Sequence, residues 1–248
     1  MKNNIFYYSN EDKRLARITR DFLSKFCSAV AEEFNSSTTI DFFKKTYIPK
    51  ERELYGLFVK ALMNFDLDET SQNNSRSIGH IGTEIKAKRI SDKGDESTGR
   101  IDMLVTYRKT SFIIEFKVAR TTLKNILNTD SPDKCKTLRP WISANQQIKD
   151  IDTDDLSKIL NKRVIKLPVV IYTYADSHQD RHPDNWEELV NNKFNAIYNA
   201  RAENQDIPEM HFSFLSCFEE PIRTQSRTKD SERANNFYGF SVIAADVE

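Results

Sequence analysis

The stretch "GRIDMLVTYRKTSFIIEFKVAR", residues 99–120, reads as two β-strands joined at Arg108 and Lys109. It carries an aspartate, a glutamate and a lysine inside otherwise apolar runs. An unpaired charge in a buried strand costs on the order of several kcal/mol, so these side chains require a partner or a task. In the first strand Ile101, Met103 and Val105 alternate with Asp102 and Leu104; in the second, Ile113, Glu115 and Lys117 share a face. An antiparallel hairpin centred on Arg108 and Lys109 sets Asp102 directly across from Glu115. Opposed residues in such a pair have Cα atoms about 4.5–5.5 Å apart and project to the same side of the sheet. Two carboxylates that close repel unless one is protonated or a cation lies between them. Oxygen ligands at that spacing suit Mg²⁺, which binds one or two carboxylates together with water and phosphate. Lys117 projects from the same face about 6–7 Å further along the strand, within reach of a phosphate oxygen or an attacking water.

Outward from the hairpin, hydrophobic spacing supplies the other elements. "EDKRLARITRDFLSKFCSAVAEEF" sets Leu15, Ile18, Phe22, Phe26 and Val30 on one helical face and ends in the polar turn "NSSTT". "PKERELYGLFVKALMNF" predicts a second helix, with Pro49 near its start, two early glutamates, and an apolar stripe of Leu54, Phe58, Leu62 and Phe65. "SQNNSRS" reads as a loop, "GHIGTEIKAKRI" as a strand, and "SDKGDESTG" as the turn before the hairpin. A helix around "RPWISANQQIKDI" and the segment "LSKILNKR" lead to "IKLPVVIYTYA", apolar nearly throughout, as expected of a central strand covered on both faces. "DNWEELVNNKFNAIYNARAE" looks helical, and "MHFSFLSCF" and "FYGFSVIAADV" look like closing strands around the polar segment "EEPIRTQSRTKDSERANN".

Asp102 followed across a hairpin by Glu115-Phe116-Lys117 resembles the PD-(D/E)XK nuclease superfamily, which includes many restriction endonucleases, with Ile101 where that motif has proline. The resemblance implies an α/β fold with a restriction-endonuclease-like αβββαβ core, its mixed central sheet flanked by helices. The expected organisation is a single domain over 1–248. The nuclease core would span about 49–175, with an N-terminal helix and a C-terminal α/β extension. The resemblance also implies a metal-dependent nuclease, with Asp102 and Glu115 binding Mg²⁺ (or Mn²⁺), the Phe116 carbonyl as a further ligand, and Lys117 acting on water or phosphate. Such enzymes often add a glutamate from the preceding helix. Glu51 shares the stripe of Leu54 and Phe58, whereas Glu53 lies about 200° further round at 100° per residue, so Glu51 is preferred. A glutamine on the helix after the lysine strand corresponds to Gln146 or Gln147. Lys86, Lys88, Arg89 and Arg100 flank the site as candidate phosphate contacts, a role that a charged solvent face explains equally well. Glu84-Ile85-Lys86 repeats the glutamate-x-lysine spacing, but in an amphipathic strand, and reads as a solvated face.

The 37 basic and 37 acidic side chains of the 248 residues balance, which removes any argument from net charge for or against a nucleic-acid partner. Cys27, Cys135 and Cys217 are scattered, suggest neither a disulfide framework nor a cysteine zinc site, and fit a cytoplasmic setting. The N-terminus lacks a signal-peptide core and no run of about 18 apolar residues occurs, so no membrane segment is expected. His178 and His182 lack a third zinc ligand, and Pro183 opposes a helix there. No glycine-rich phosphate loop or nucleophile elbow is present. The expected partner is nucleic acid, most readily double-stranded DNA, with a homodimer left open. The rival readings are a nucleic-acid-binding protein without chemistry and a structural protein whose hairpin charges form a salt bridge.

Overall fold

A computed structural model describes residues 5–8, 15–48, 51–65, 78–91, 93–121, 138–176, 188, 207–225 and 235–247. The elements in chain order are β1 (Ile5–Tyr8), α1 (Arg17–Phe34), α2 (Ser37–Lys45), α3 (Glu51–Phe65), β2 (Ile78–Ile90), β3 (Glu96–Tyr107), β4 (Thr110–Thr121), α4 (Leu138–Lys149), α5 (Asp154–Leu160), β5 (Arg163–Asp176), β6 (Phe212–Thr224) and β7 (Asn235–Ala244). The strands form one sheet in the order β1-β6-β7-β5-β4-β3-β2. Among the described strands only β4 and β5 run parallel. A parallel pair needs a crossover connection, and α4 and α5 lie in it. The chain is thus α/β, a mixed sheet flanked by helices, and from α3 to β5 its elements follow the expected order with short α5 added.

The two faces of the sheet have separate cores. On one, α1, α2 and α3 bring Phe22, Phe26, Phe43 and Phe58 onto Met103, Phe112, Ile114 and Phe116. On the other, Leu138 and Trp141 of α4 cover Val170, Tyr172, Tyr174 and Tyr238, and Ile148 and Ile151 cover Ile101, Leu104 and Ile113. Strand β5 sends Leu167, Val169 and Ile171 to the first core and Val170, Tyr172 and Tyr174 to the second, the two-sided burial its continuous apolar run predicts. Its Pro168 falls in a gap of the pairing with the C-terminal segment. Val169 pairs with Ala244 and Lys166 with Val247 in one register, interrupted where proline lacks an N–H. At the outer margin, β2 is clamped at one end: the Ile90 N–H bonds the Asp150 carbonyl (2.7 Å) and the Asp152 N–H bonds the Lys88 carbonyl (2.9 Å).

Three local expectations need correction. "NSSTT" is not a plain turn: Ser36 accepts from the Thr39 N–H (3.3 Å) and caps α2, which carries Phe43 into the core. The first helix begins at Arg17, later than its charged lead-in suggested, and β1 was not foreseen. The polar segment after "SCF" is partly strand, because β6 continues to Thr224 through an irregularity in its pairing with β7 between Cys217 and Ile222. The expected loop "SQNNSRS", most of the expected helix "DNWEELVNNKFNAIYNARAE", Cys135, His178 and His182 lie outside the described residues.

Candidate active site

The hairpin has the expected register as far as Met103↔Ile114, but the expected direct pair of Asp102 with Glu115 is not part of the ladder. Tyr107 pairs with Thr110, and the ladder runs back through Val105↔Phe112 and Leu104↔Ile113 to Met103↔Ile114. Arg108 takes the left-handed conformation the tight turn requires (φ 53°), and its guanidinium and the Tyr107 hydroxyl both reach Asp21 of α1, at 3.1 and 2.6 Å. Beyond Met103 the regular pairing stops. The Phe116 N–H donates to the Asp102 carboxylate (2.8 Å), so a side chain takes up the bond as the strands diverge. Strict alternation also ends there: Ile101 packs with Leu104 and Ile113, not with Met103 and Val105. On the other side, Glu84 lies across from Asp102, between the pairs Thr83↔Met103 and Ile85↔Ile101, in a left-handed conformation (φ 53°).

At this divergence Lys117 Nζ has three oxygen neighbours. It is 3.0 Å from Glu115 Oε1, 2.9 Å from the Phe116 carbonyl and 3.9 Å from Glu51 Oε1. Glu51 reaches the strand from the first turn of α3 and accepts the Val118 N–H (3.2 Å). Glu53 turns away and accepts from the Tyr47 hydroxyl (2.9 Å) at an exposed position, as the helical angle requires. Phe116, between the two charged residues, points to the opposite face and stacks on Phe58 (centroids 4.9 Å apart), which anchors the strand from the α3 side.

Glu115 is 3% exposed, and its Oε2 has no hydrogen-bond partner among the described residues, with Arg89 Nη2 at 3.6 Å. Burial first, then the Asp102 charge, raises its pKa above the ordinary glutamate value against the opposing charges of Lys117 and Arg89. Tyr55, one helical turn after Glu51, lies beside the Asp102 carboxylate. Burial, then the Asp102 charge, then the charges of Glu51 and Glu84 push its phenol far up. The i, i+4 step from Glu51 was the available signal for Tyr55.

The four cations expected at phosphates separate. Arg100 pairs with Glu84 (3.0 Å) and Lys88 with Glu96 (2.6 Å), both pairs on the outer strands, and Lys86 is exposed. Arg89 instead turns inward, donating to the carbonyls of Gln147 (2.9 Å) and Arg100 (2.7 Å). Gln147 thus meets the site through its backbone, while Gln146 is exposed. Glu84, read from sequence as a solvated residue, is only partly exposed and contributes to the field at Tyr55.

Among the described residues no three carboxylate, imidazole or thiol groups converge into a metal cage. The donors still fit Mg²⁺. They are hard oxygens, one buried carboxylate oxygen has no hydrogen-bond partner, and Mg²⁺ is characteristically held by one or two carboxylates with water and phosphate. Comparisons with protein-family models, with curated proteins and with solved structures each return no match. No described helix is long and apolar enough to cross a membrane.

Proposed function

We propose that this chain is a metal-dependent nuclease of the PD-(D/E)XK type, hydrolysing phosphodiester bonds, with double-stranded DNA the preferred substrate and the cytoplasm its setting. One observation carries the reading: Glu51 of α3, Asp102 of β3 and Glu115 and Lys117 of β4 gather where β3 and β4 part, with a buried glutamate oxygen left without a hydrogen bond. The restriction-endonuclease-like core is supported by the helix–three strands–helix–strand order and by the parallel β4–β5 pair. Asp102, Glu115, Glu51 and the Phe116 carbonyl would hold Mg²⁺, which when bound lowers the pKa of a water and offsets charge on the phosphate. Lys117, already set among these oxygens, orients the attacking water or a phosphate oxygen. The Phe116 N–H holds the Asp102 carboxylate in place.

A second reading is favoured by the closed pair of Lys117 and Glu115: an internal ion pair in a protein that binds nucleic acid or serves a structural role without chemistry. Incubation of the purified protein with plasmid, linear and single-stranded DNA, each with Mg²⁺ or with chelator, separates the two. Cleavage that needs Mg²⁺ and is lost in Asp102→Ala supports the nuclease; no cleavage in either condition, with DNA still bound, supports the second reading.

A further inference from the structure

We propose that Arg89 is a positioning residue for Glu115, its side chain threaded through a notch at Gly99 so that the guanidinium braces the buried carboxylate against α4. The inference rests on the nuclease reading for its functional meaning, and on separate observations for its geometry. A Cβ added at Gly99 would lie 2.0 Å from Arg89 Nε and 2.4 Å from its Cδ, so only glycine lets the side chain cross β3 there. The notch is cut into the β2–β3 ladder itself, where Gly99 pairs with Ala87 and Arg89 with Ser97.

Beyond the notch the fork is fixed on two backbones. Nη1 donates to the Gln147 carbonyl of α4 and Nη2 to the Arg100 carbonyl of β3, and Nη2 stands 3.6 Å from Glu115 Oε2. The plane and the charge of the guanidinium are thereby set beside the one glutamate oxygen that lacks a hydrogen bond. A phosphate-contacting arginine presents its fork to solvent. Arg89 commits both Nη atoms to carbonyls, keeps its Nε buried, and leaves its side chain 18% exposed. An isolated glycine inside a strand signals close approach by another group, and here that group is this side chain.

Two measurements test the proposal. In chelator, melting temperatures of Arg89→Met, Glu115→Gln and the double variant should depart from additivity, whereas shifts that simply add overturn the link. With Mg²⁺ and plasmid, Arg89→Met should lower kcat about 10–100-fold with KM unchanged, the range for a residue that orients a metal ligand. Gly99→Ala, which keeps the charge but fills the notch, should give a similar loss and add nothing to Arg89→Met. Arg89→Lys should not restore activity, because an ammonium lacks the planar fork. An Arg89→Met protein with wild-type kcat, or one altered only in KM and in the salt dependence of DNA binding, overturns the positioning role in favour of a phosphate contact. If the wild type neither binds Mn²⁺ nor cleaves DNA, the nuclease reading fails, and the melting cycle in chelator still decides the Arg89–Glu115 link.

Discussion

Two glutamate-x-lysine triplets flank Asp102, Glu84-Ile85-Lys86 on β2 and Glu115-Phe116-Lys117 on β4, and they differ in everything except spacing. On the outermost strand, Glu84 is partly exposed and tied to the solvent-facing Arg100, and Lys86 is exposed. One strand beyond Asp102 on the inner side, Glu115 is buried, Lys117 is drawn in among three oxygens, and the middle residue is stacked in a core. The same three-residue pattern is therefore solvated at the margin and buried among oxygens near the middle. What separates the two is the strand order, which sets how much water each carboxylate keeps.

The largest expected break of this asymmetry is at the lysines. Lys117→Ala should cut turnover by about two orders of magnitude or more, in the range for a positioned acid-base or electrostatic group, while Lys86→Ala leaves turnover near wild type. If Lys117 is only the partner of Glu115, its removal instead destabilises the fold by about 3–5 kcal/mol. Cleavage rates beside denaturant melts of the two variants decide between these outcomes.

The next effect compares the glutamates of α3. Glu51→Gln should lower cleavage about tenfold or more, as loss of an oriented ligand does, and Glu53→Gln should leave it unchanged, since Glu53 meets Tyr47 and not the strand. A reversed ranking would move the site to the other side of α3.

Metal linkage gives a third effect, read in stability and not in turnover. Glu115 has its folded pKa raised, so its contribution to stability is fully present below the unfolded value and is lost as pH rises through the folded one. Mg²⁺ competes with that proton, so its stabilisation should grow as pH rises through the same window. The gain should reach about 2.7 kcal/mol at a hundredfold excess over Kd, and Asp102→Ala should abolish it. Thermal melts across pH with Mg²⁺ or chelator measure this; a shift independent of pH would detach Glu115 from the metal.

The smallest effect lies at the outer triplet. Glu84→Asn removes an exposed ion pair but suits the left-handed backbone, so the two nearly cancel and stability should stay within about 0.5 kcal/mol of the parent. A large loss in the melt would show that the outer triplet is structural.

How much of this was legible in the sequence varies by element. The hairpin register was, as far as Met103, because a two-residue turn and period-two alternation leave few choices; the divergence that follows, which removes the direct Asp102–Glu115 pair, was not. Legible too was which glutamate of α3 faces the strand, because helical angle decides it. The two-sided burial of β5 followed from its unbroken apolar run. The capped helix α2 was hidden by its serines and threonines, residues that favour turns as readily as caps. Arg89 and Tyr55 were hidden for another reason. The place of Arg89 depends on which strand lies beside which and on the notch at Gly99, and that of Tyr55 on where α3 sits against β3; a charge pattern read along one strand carries neither.

Among the described residues strand β2 is also the rim of the sheet, 13 residues long, and a long open rim offers its unpaired backbone groups to any passing strand, the first step toward aggregation. Here the 150–152 clamp closes one end of that template, and the left-handed φ of Glu84 interrupts the extended backbone in its middle. Only short straight runs remain for a second copy to zip onto. The backbone irregularity beside Asp102 thus also shields the rim against self-association, and a β-branched residue at position 84, which would straighten the strand, would weaken that protection.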